Sequence, residues 1–301
     1  MARTIPCSNS DAISIEEYLE HVRARVDLRD EDSIAASAPK LRALANDRDL
    51  IVRELNRRIE NYLTDGALLS AQALLIGVGS DDFYVRANIW PAISDMASGR
   101  AYQDQFAYNL AHDHNFTFMT VNYLGPGYET EIYEYDYDKV VGYVGEPVDL
   151  RFNEKVRFGT GTVMLYRASR DVHVQFAPTE LTITLNLMVS HPEVRIRDQY
   201  YFDLTTRTIA GYPPELAGSS RATLLRLAGH LGNGDTSQLL SDIGTQHPDR
   251  RTRLTALEAL SRTQPAEAAS IWEKASSDPA PLVANTARRR LKDLASASGG
   301  A

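Results

Sequence analysis

At 301 residues, the chain is long enough for about two domains, each with its own apolar core. Its single cysteine, Cys7, excludes a disulfide framework and a cysteine-based metal site, and it favours a reducing, cytoplasmic setting. A formal net charge of −8 disfavours nucleic acid as a partner, and the longest apolar run, near residues 67–78, is too short to span a membrane.

Residues 1–66 are predicted to form a helical N-terminal segment. Ser14 is a typical helix cap, acidic residues follow it, and Ile15, Leu19 and Val22 are spaced to form one face of a helix. Helical spacing of apolar residues continues as far as residue 62. We therefore expect two or three helices that pack beside a sheet.

Residues 67–212 contain short apolar segments separated by glycine-rich turn signals, a pattern that indicates β-strands. The predicted strands are 71–76, 83–90, 107–114, 116–123, 130–137, 149–152, 163–167, 173–176, 181–189 and 198–205. Many short strands without long helices between them predict a closed or double-sheet antiparallel barrel, of which the cupin jelly roll is one form. The predicted fold class is therefore mainly β, with one helical segment before the barrel in the sequence and another after it.

Residues 213–296 are rich in alanine and leucine and contain an internal repeat of about thirty residues. Leu231, Leu260 and Leu291 occupy equivalent positions in successive units. We predict a small α-helical domain of HEAT-like repeats, in which paired helices bury their apolar faces against neighbouring units. Two or three repeat units are rarely stable as an independent domain. We therefore expect them to contact the barrel, a second copy of the chain or a partner protein. Residues 297–301 are predicted to be a disordered tail.

His112 and His114 are the strongest candidates for functional residues. Residues two apart in a strand point to the same face, so both imidazoles aim in one direction. Phe116 and Phe118 continue that face as an apolar wall, and His173 supplies a third imidazole from a later strand. Three neutral imidazoles on a barrel wall suit a divalent metal such as iron(II), with open positions for a small-molecule substrate and dioxygen.

Two other metal chemistries are disfavoured by the neighbouring residues. A 2-oxoglutarate oxygenase needs His-x-Asp on the early strand and a basic residue after the late histidine, but the second position is His114 and residues 178–189 contain no Arg or Lys. The common cupin pattern has a glutamate shortly after the second histidine, but residues 115–127 contain no acid. Glu129 and Glu131 are left as distant candidates for a fourth ligand.

Four short motifs occur in order along the barrel region. They are Tyr84-Val-Arg86-x-Asn88, His112-Asp-His114-Asn, Leu124-Gly125 followed by Glu129-Thr-Glu-Ile-Tyr, and Asp171-Val-His173. Together they resemble the cysteine dioxygenase, or thiol dioxygenase, branch of the cupins, which adds both atoms of dioxygen to the sulfur of an amino-acid thiol. By this resemblance, the three histidines would hold iron(II) and Arg86 would bind the substrate carboxylate. The expected function is a non-haem iron(II)-dependent dioxygenase or oxidase acting on a small anionic thiol, amino acid or related amine.

One part of the family pattern is absent. Where the family has Ser-x-His-x-Tyr on a late strand, this chain has Thr184-Leu-Asn186-Leu-Met188, which lacks both the imidazole and the phenol. Asn186 and Thr184 remain candidates for hydrogen bonds to the substrate. Tyr123, Tyr166 and Arg167 are candidates for a replacement donor, and the spacing does not choose among them. Two alternatives stay open: a non-catalytic metal- or ligand-sensing cupin coupled to the helical repeats, and an oxygen-independent metal-dependent cupin enzyme.

Overall fold

The computed structural model describes residues 2–60, 72–96, 106–189, 191, 196–213 and 217–298. The chain forms two compact units. The first comprises Met1–Tyr137, Val148–Arg195 and Gln199–Arg207, and the second comprises Asp138–Pro147, Ile196–Asp198 and Thr208–Ala301. The predicted boundary at residue 66 lies outside the described residues. None of the described helices combines the length and the hydrophobicity needed to cross a membrane.

Four helices precede most of the strands of the first unit. They are α1 (Ile15–Arg25), α2 (Glu31–Ala36), α3 (Ala38–Ala45) and α4 (Leu50–Glu60). The predicted cap of α1 is confirmed: the Ser14 hydroxyl accepts a hydrogen bond from the Glu17 amide at 3.2 Å, and the Glu17 carboxylate accepts one from the Ser14 amide at 2.8 Å. This reciprocal pair satisfies two amides that would otherwise lack partners at the start of the helix.

The described residues contain two antiparallel sheets of six strands each, consistent with the predicted jelly roll. The first sheet has the order β1-β8-β5-β10-β3-β2, with β1 (Arg3–Pro6), β2 (Ala73–Ser80), β3 (Phe83–Trp90), β5 (Thr117–Leu124), β8 (Thr162–Tyr166) and β10 (Thr182–Val189). The second has the order β12-β11-β4-β9-β6-β7, with β4 (Ala111–Asp113), β6 (Tyr128–Glu134), β7 (Arg151–Phe158), β9 (Asp171–Gln175), β11 (Tyr201–Asp203) and β12 (Thr208–Gly211).

Several strands differ from the predictions. Strands β1 and β12 lie where no strand is predicted, β7 extends from the predicted 149–152 to Phe158, and β4 and β11 are shorter than predicted. The sequence pattern predicts no strand at the start of the chain, but β1 pairs antiparallel to β8 as a short edge strand, with Arg3 opposite Leu165. The glycines at positions 77 and 79 predict a turn, but β2 continues through them to Ser80. Register shifts between β2 and β3 at these positions indicate bulges, which accommodate glycine within a strand.

The strands of the first sheet present two faces of different composition. Phe83, Val85 and Ala87 of β3 belong to an apolar cluster that includes residues of α1 and α3, so this face is covered by helices. Trp90, which has the opposite parity, belongs to a second cluster that includes Tyr128 of the second sheet. We call this second face, which lies between the two sheets, the inner face.

The second unit consists mainly of helices. They are α5 (Ala217–Leu231), α6 (Gly234–Gln246), α7 (Arg250–Thr263), α8 (Ala268–Ala275) and α9 (Pro281–Ser298). A single apolar cluster joins residues from all of these helices. Their relation to HEAT repeats stays a prediction. Helix α9 extends to Ser298, inside the predicted tail, and residues 299–301 of that tail lie outside the described part of the chain.

Two glycines in turns of the first unit allow a matched test of the fold. Gly127 and Gly161 have φ angles of +78° and +81°. A β-carbon at Gly127 would lie 1.7 Å from the Phe158 carbonyl oxygen, but one at Gly161 would lie at an ordinary 3.5 Å from the Cys7 carbonyl oxygen.

We expect Gly161→Ala to lower the free energy of unfolding by about 1–2 kcal/mol, the cost of a left-handed residue with a side chain. Gly127→Ala should lower it by at least about 3 kcal/mol, because the backbone of β7 must also move. Urea denaturation measures both losses. Equal losses would contradict the steric role of Gly127.

Candidate metal centre

The three predicted ligands come from two adjacent strands of the second sheet. His112 lies in β4 and is opposite His173 of β9 in the antiparallel register. His114 follows β4 directly and turns to the same side as His112. The Nε2 atom of His173 lies 3.1 Å from Nε2 of His112 and 3.2 Å from Nε2 of His114. The structure therefore brings the three imidazoles together at one point.

The separations of these nitrogens fit one divalent cation. Metal–nitrogen distances of about 2.0–2.1 Å place two imidazole nitrogens about 2.9 Å apart at a right angle and about 3.4 Å apart at the tetrahedral angle. Within the described ranges, this is the one cluster of His, Cys, Asp or Glu side chains close enough to hold a metal ion, with all ligand atoms within 4.8 Å of one another. The two Nε2 separations measured from His173 therefore fit ligands of one metal ion with further positions open.

Each imidazole is kept in the neutral form that binds metals. Burial lowers the pKa of His112, although a backbone hydrogen bond to Leu110 opposes this shift. Burial lowers the pKa values of His173 and His114 well below their usual range, and neighbouring positive charge, including that of Arg86 for His114, adds to the effect. His112 Nδ1 lies 2.9 Å from the Leu110 carbonyl oxygen; as a donor to it, Nδ1 leaves the lone pair on Nε2.

An aromatic wall borders the imidazoles. The ring centroid of His114 lies 4.6 Å from that of Phe116 and 5.1 Å from that of Phe118. Tyr166 lies 4.7 Å from His173 and stacks on Phe118 at 4.6 Å. The predicted apolar wall is confirmed. Such a wall limits the access of water and strengthens electrostatic interactions at the site.

Gln199 contacts the site but is not recognisable from the sequence pattern. Its side-chain amide donates to the Asp113 carbonyl oxygen at 3.2 Å and lies 3.0 Å from His114 Nδ1. These contacts hold the orientation of the His114 ring, a common role of the outer partners of metal-bound histidines. Gln199 and His114 are 85 residues apart, and no local motif links them. The pairing of β11 with β4 brings the two segments together.

Arg86 lies on the inner face, because on β3 it has the parity of Trp90 and not of Val85. Its Nε atom is buried and has no hydrogen-bond partner among the residues that the structure describes. Burial lowers the pKa of the guanidinium, and only Tyr84 opposes that shift. In the described part of the chain, no carboxylate forms an ion pair with Arg86. A partly buried cation without a counter-charge is unfavourable, so an anion would complete this environment.

Two of the residues predicted to hydrogen-bond a substrate lie on different faces. Asn186 is opposite Arg86 in the register of β10 and β3, and its amide donates to the Arg86 carbonyl oxygen at 3.4 Å. Tyr123 belongs to the helix-covered face of β5, and its hydroxyl donates to the Arg48 carbonyl oxygen at 2.6 Å. The structure thus places Asn186 on the face that carries Arg86 and Tyr123 on the opposite face.

Nearby carboxylates point away from the three imidazoles. Asp113, which lies between the two histidines of the His-x-His motif, is fully buried and accepts a hydrogen bond from the Tyr135 hydroxyl at 2.6 Å. Glu129 and Glu131 face Lys155 at 3.3 Å and 3.7 Å. The distant candidates for a fourth ligand are therefore engaged elsewhere.

No family model and no curated protein matches this sequence. Solved structures with a similar arrangement include salicylate 1,2-dioxygenase from Pseudoaminobacter salicylatoxidans, with a TM-score of 0.26 and 7% identity over 47% of this chain and 31% of that chain. Hydroquinone 1,2-dioxygenase from Sphingomonas sp. TTNP3 has a TM-score of 0.26 and 10% identity over 44% and 76%. The DMSP lyase DddQ from Ruegeria pomeroyi DSS-3 has a TM-score of 0.24 and 13% identity over 64% and 79%. Similarities at this level carry no inference about the reaction or the substrate.

The buried imidazoles make the stability of the metal-free protein depend on pH. Their pKa values in the folded chain lie below the ordinary value of 6.5, near which they titrate in the unfolded chain. Between these values the unfolded chain binds more protons. The free energy of unfolding is therefore highest above pH 6.5 and falls as the pH falls toward the folded-state pKa values.

We expect His173→Asn to weaken this pH dependence, because one of the titrating rings is removed. Urea denaturation with a chelator present, at pH values from about 5 to 8, compares the variant with the wild type. An unchanged slope would contradict the neutral, buried state of His173.

Proposed function

We propose that this chain is a mononuclear non-haem iron(II) enzyme of the dioxygenase or oxidase type, in which His112, His114 and His173 bind the metal. The observation that carries the proposal is the convergence of three neutral imidazoles, in which Nε2 of His173 lies 3.1 and 3.2 Å from Nε2 of His112 and His114, on a sheet that faces a partly buried arginine. A three-histidine set contributes no negative charge and leaves open coordination positions. It therefore favours an anionic substrate that chelates the ion.

When bound, iron(II) would supply redox chemistry and open positions for dioxygen next to the substrate. The contribution of the protein is to bind, orient and shield. The histidines occupy one side of the site, and Gln199 holds one of their rings in place. Phe116, Phe118 and Tyr166 cover the adjacent rings and exclude water.

We assign the anionic part of the substrate to Arg86. Arg86 lies on the inner face, and its positive charge is one of the causes that lower the pKa of His114. A guanidinium binds a carboxylate through two parallel, charge-assisted hydrogen bonds. Asn186, opposite Arg86 in the register, can add a further hydrogen bond. A small anionic thiol, amino acid or related amine is therefore the proposed substrate class.

The inner face offers few groups that could act as a base. On β10 it carries Thr184, Asn186 and Met188, none of which titrates near neutral pH. Burial raises the pKa of Tyr166 well above its usual value, so its hydroxyl stays protonated. These residues favour a substrate that already binds as an anion.

Two other functions are compatible with the same metal centre. A sensing protein would bind the metal or a ligand and change what the helical repeats contact, and an oxygen-independent enzyme would act without dioxygen. Protein loaded anaerobically with iron(II) and offered thiols and amino acids consumes oxygen only if it is a dioxygenase or oxidase. Turnover without oxygen would support the second alternative, and metal binding without turnover would support the first.

We expect the wild type to bind one divalent ion per chain and His112→Ala or His173→Ala to weaken binding by at least about tenfold, because a ligand is lost. The matched control is His230→Ala. His230 is exposed on α5 of the second unit and lies 3.0 Å from Arg262. Metal analysis and titration with iron(II) measure the effect. Equal binding in all four proteins would refute the proposed metal site.

For whichever substrate the oxygen-uptake panel identifies, we expect Arg86→Gln to raise KM by about tenfold or more with unchanged metal content, since a charge-assisted contact is lost. Arg86→Lys should recover part of the loss, because it keeps the charge but not the forked geometry. Arg157→Gln, on an exposed position of β7, is the control. An unchanged KM in Arg86→Gln would assign Arg86 a structural role.

A further inference from the structure

Three buried oxygen atoms in the first sheet have no hydrogen-bond partner among the described residues. They are Asn88 Oδ1, Thr120 Oγ1 and Asn122 Oδ1, and their residues are 8%, 1% and 2% exposed. A buried polar atom without a partner costs free energy, and apolar side chains at these positions would avoid that cost. Neither the proposed metal centre nor the fold makes use of these atoms.

All three residues have the parity of the inner face. Asn88 is two residues from Trp90 on β3, and Thr120 and Asn122 are two and four residues from Phe118 on β5. Trp90 and Phe118 both belong to the cluster between the sheets, whereas the residues that alternate with them pack under the helices. The unpartnered oxygens are therefore directed to the same side of the sheet as Arg86.

The strand register arranges the polar residues of the inner face in two neighbouring rows. The first row is Arg86, Asn186 and Thr120, and the second row is Asn88, Thr184 and Asn122. Successive rows are about 7 Å apart along a strand. Phe118, which contacts His114, belongs to the row before them. The rows therefore extend from the aromatic wall of the metal centre. The row of Arg86 lies between the row of Phe118 and the row that contains Asn88 and Asn122.

The hydrogen-bonding roles of the unpartnered atoms determine which chemical groups they could bind. Asn122 Nδ2 donates to the Gly125 carbonyl oxygen at 3.0 Å, which identifies Oδ1 as the free atom of that side chain. The two asparagine oxygens can only accept hydrogen bonds, and the Thr120 hydroxyl can donate or accept. A second carboxylate would be repelled by these acceptors. A neutral hydroxyl or amide group would donate to them.

We propose that Asn88, Thr120 and Asn122 bind a neutral hydrogen-bond donor, a hydroxyl or an amide, of the same small anion whose charge Arg86 binds. This inference rests on the proposed function and narrows its substrate class to carboxylates that carry such a donor a few carbon atoms away. The same residues then discriminate against the analogue that lacks the donor, because that analogue leaves their oxygens without a partner.

The first test is the stability of the ligand-free, metal-free protein. Thr120→Val removes the hydroxyl and keeps the shape of the side chain, so we expect the midpoint of thermal unfolding to rise by about 1–3 °C. Thr184→Val is the matched control on the same face. The Thr184 hydroxyl accepts a hydrogen bond from Trp90 Nε1 at 3.1 Å, and its removal should lower the midpoint by about 2–4 °C. A fall in Thr120→Val would show that its hydroxyl is bonded within the fold and would overturn the inference.

The second test is binding of matched anions to the metal-loaded protein by calorimetry. The probes are 4-hydroxybutanoate with butanoate, and succinamate with levulinate, in which a methyl group replaces the amide NH2. We expect the wild type to bind the donor-bearing member of at least one pair about tenfold more tightly, and Thr120→Val to reduce this preference to about twofold or less. Equal affinities within both pairs in the wild type, or no binding of any probe, would overturn the inference.

The two proposals fail in different ways. If the wild type binds no metal, the proposed function fails, but the sign of the stability change in Thr120→Val is measured without metal and still decides whether the hydroxyl has a partner in the fold. If metal and oxygen uptake are found and the matched anions are not distinguished, the proposed function stands and the donor site fails.

Discussion

The site depends on three imidazole nitrogens that face one another in a buried environment. The Nε2 atoms of His112 and His114 both approach that of His173, and protonation of the rings is opposed by burial and by the neighbouring rings. A divalent cation satisfies all three lone pairs at once. The pairing of His112 with His173 in the second sheet imposes this arrangement. The register of β4 and β9 is therefore a functional constraint as well as a structural one.

Side chains that alternate along the strands of the first sheet give its two faces different roles: one face stabilises the fold and the other carries the polar residues. One face packs a continuous apolar cluster under the N-terminal helices, and this burial stabilises the sheet. The inner face can then carry a partly buried guanidinium and unpartnered side-chain oxygens, which a small core would tolerate poorly. Local violations of good packing are expected at binding sites, where a ligand completes the interactions. Among the described residues, helices α1 to α4 thus support the sheet that faces the site and contribute no side chain to the three-histidine cluster.

Sequence reasoning succeeded where local spacing determines the outcome. The His-x-His spacing and the following phenylalanines predicted one face of the site, and the capping residues predicted the start of α1. Local spacing does not predict residues that only the pairing of distant strands brings together. Gln199 reaches His114 only through the pairing of β11 with β4, and the short strand β1 has no periodicity to reveal it. The phenol of Tyr123 makes it a candidate substrate contact, but its parity on β5 directs it to the helix-covered face.

Charge links the two sheets. In the proposed site, the second sheet supplies imidazoles that add no negative charge and the first supplies a partly buried guanidinium, and within the described residues no carboxylate forms an ion pair with Arg86. A bound divalent ion would add its positive charge to that of Arg86 in the space between the sheets. An anionic substrate would lower the energy of both charges, and it would raise the pKa of Arg86 back toward its ordinary value. A neutral analogue of the same shape would leave both charges uncompensated. The proposed selectivity for anions would then come chiefly from removing an electrostatic penalty that the folded protein already carries, and less from the number of contacts that the substrate makes.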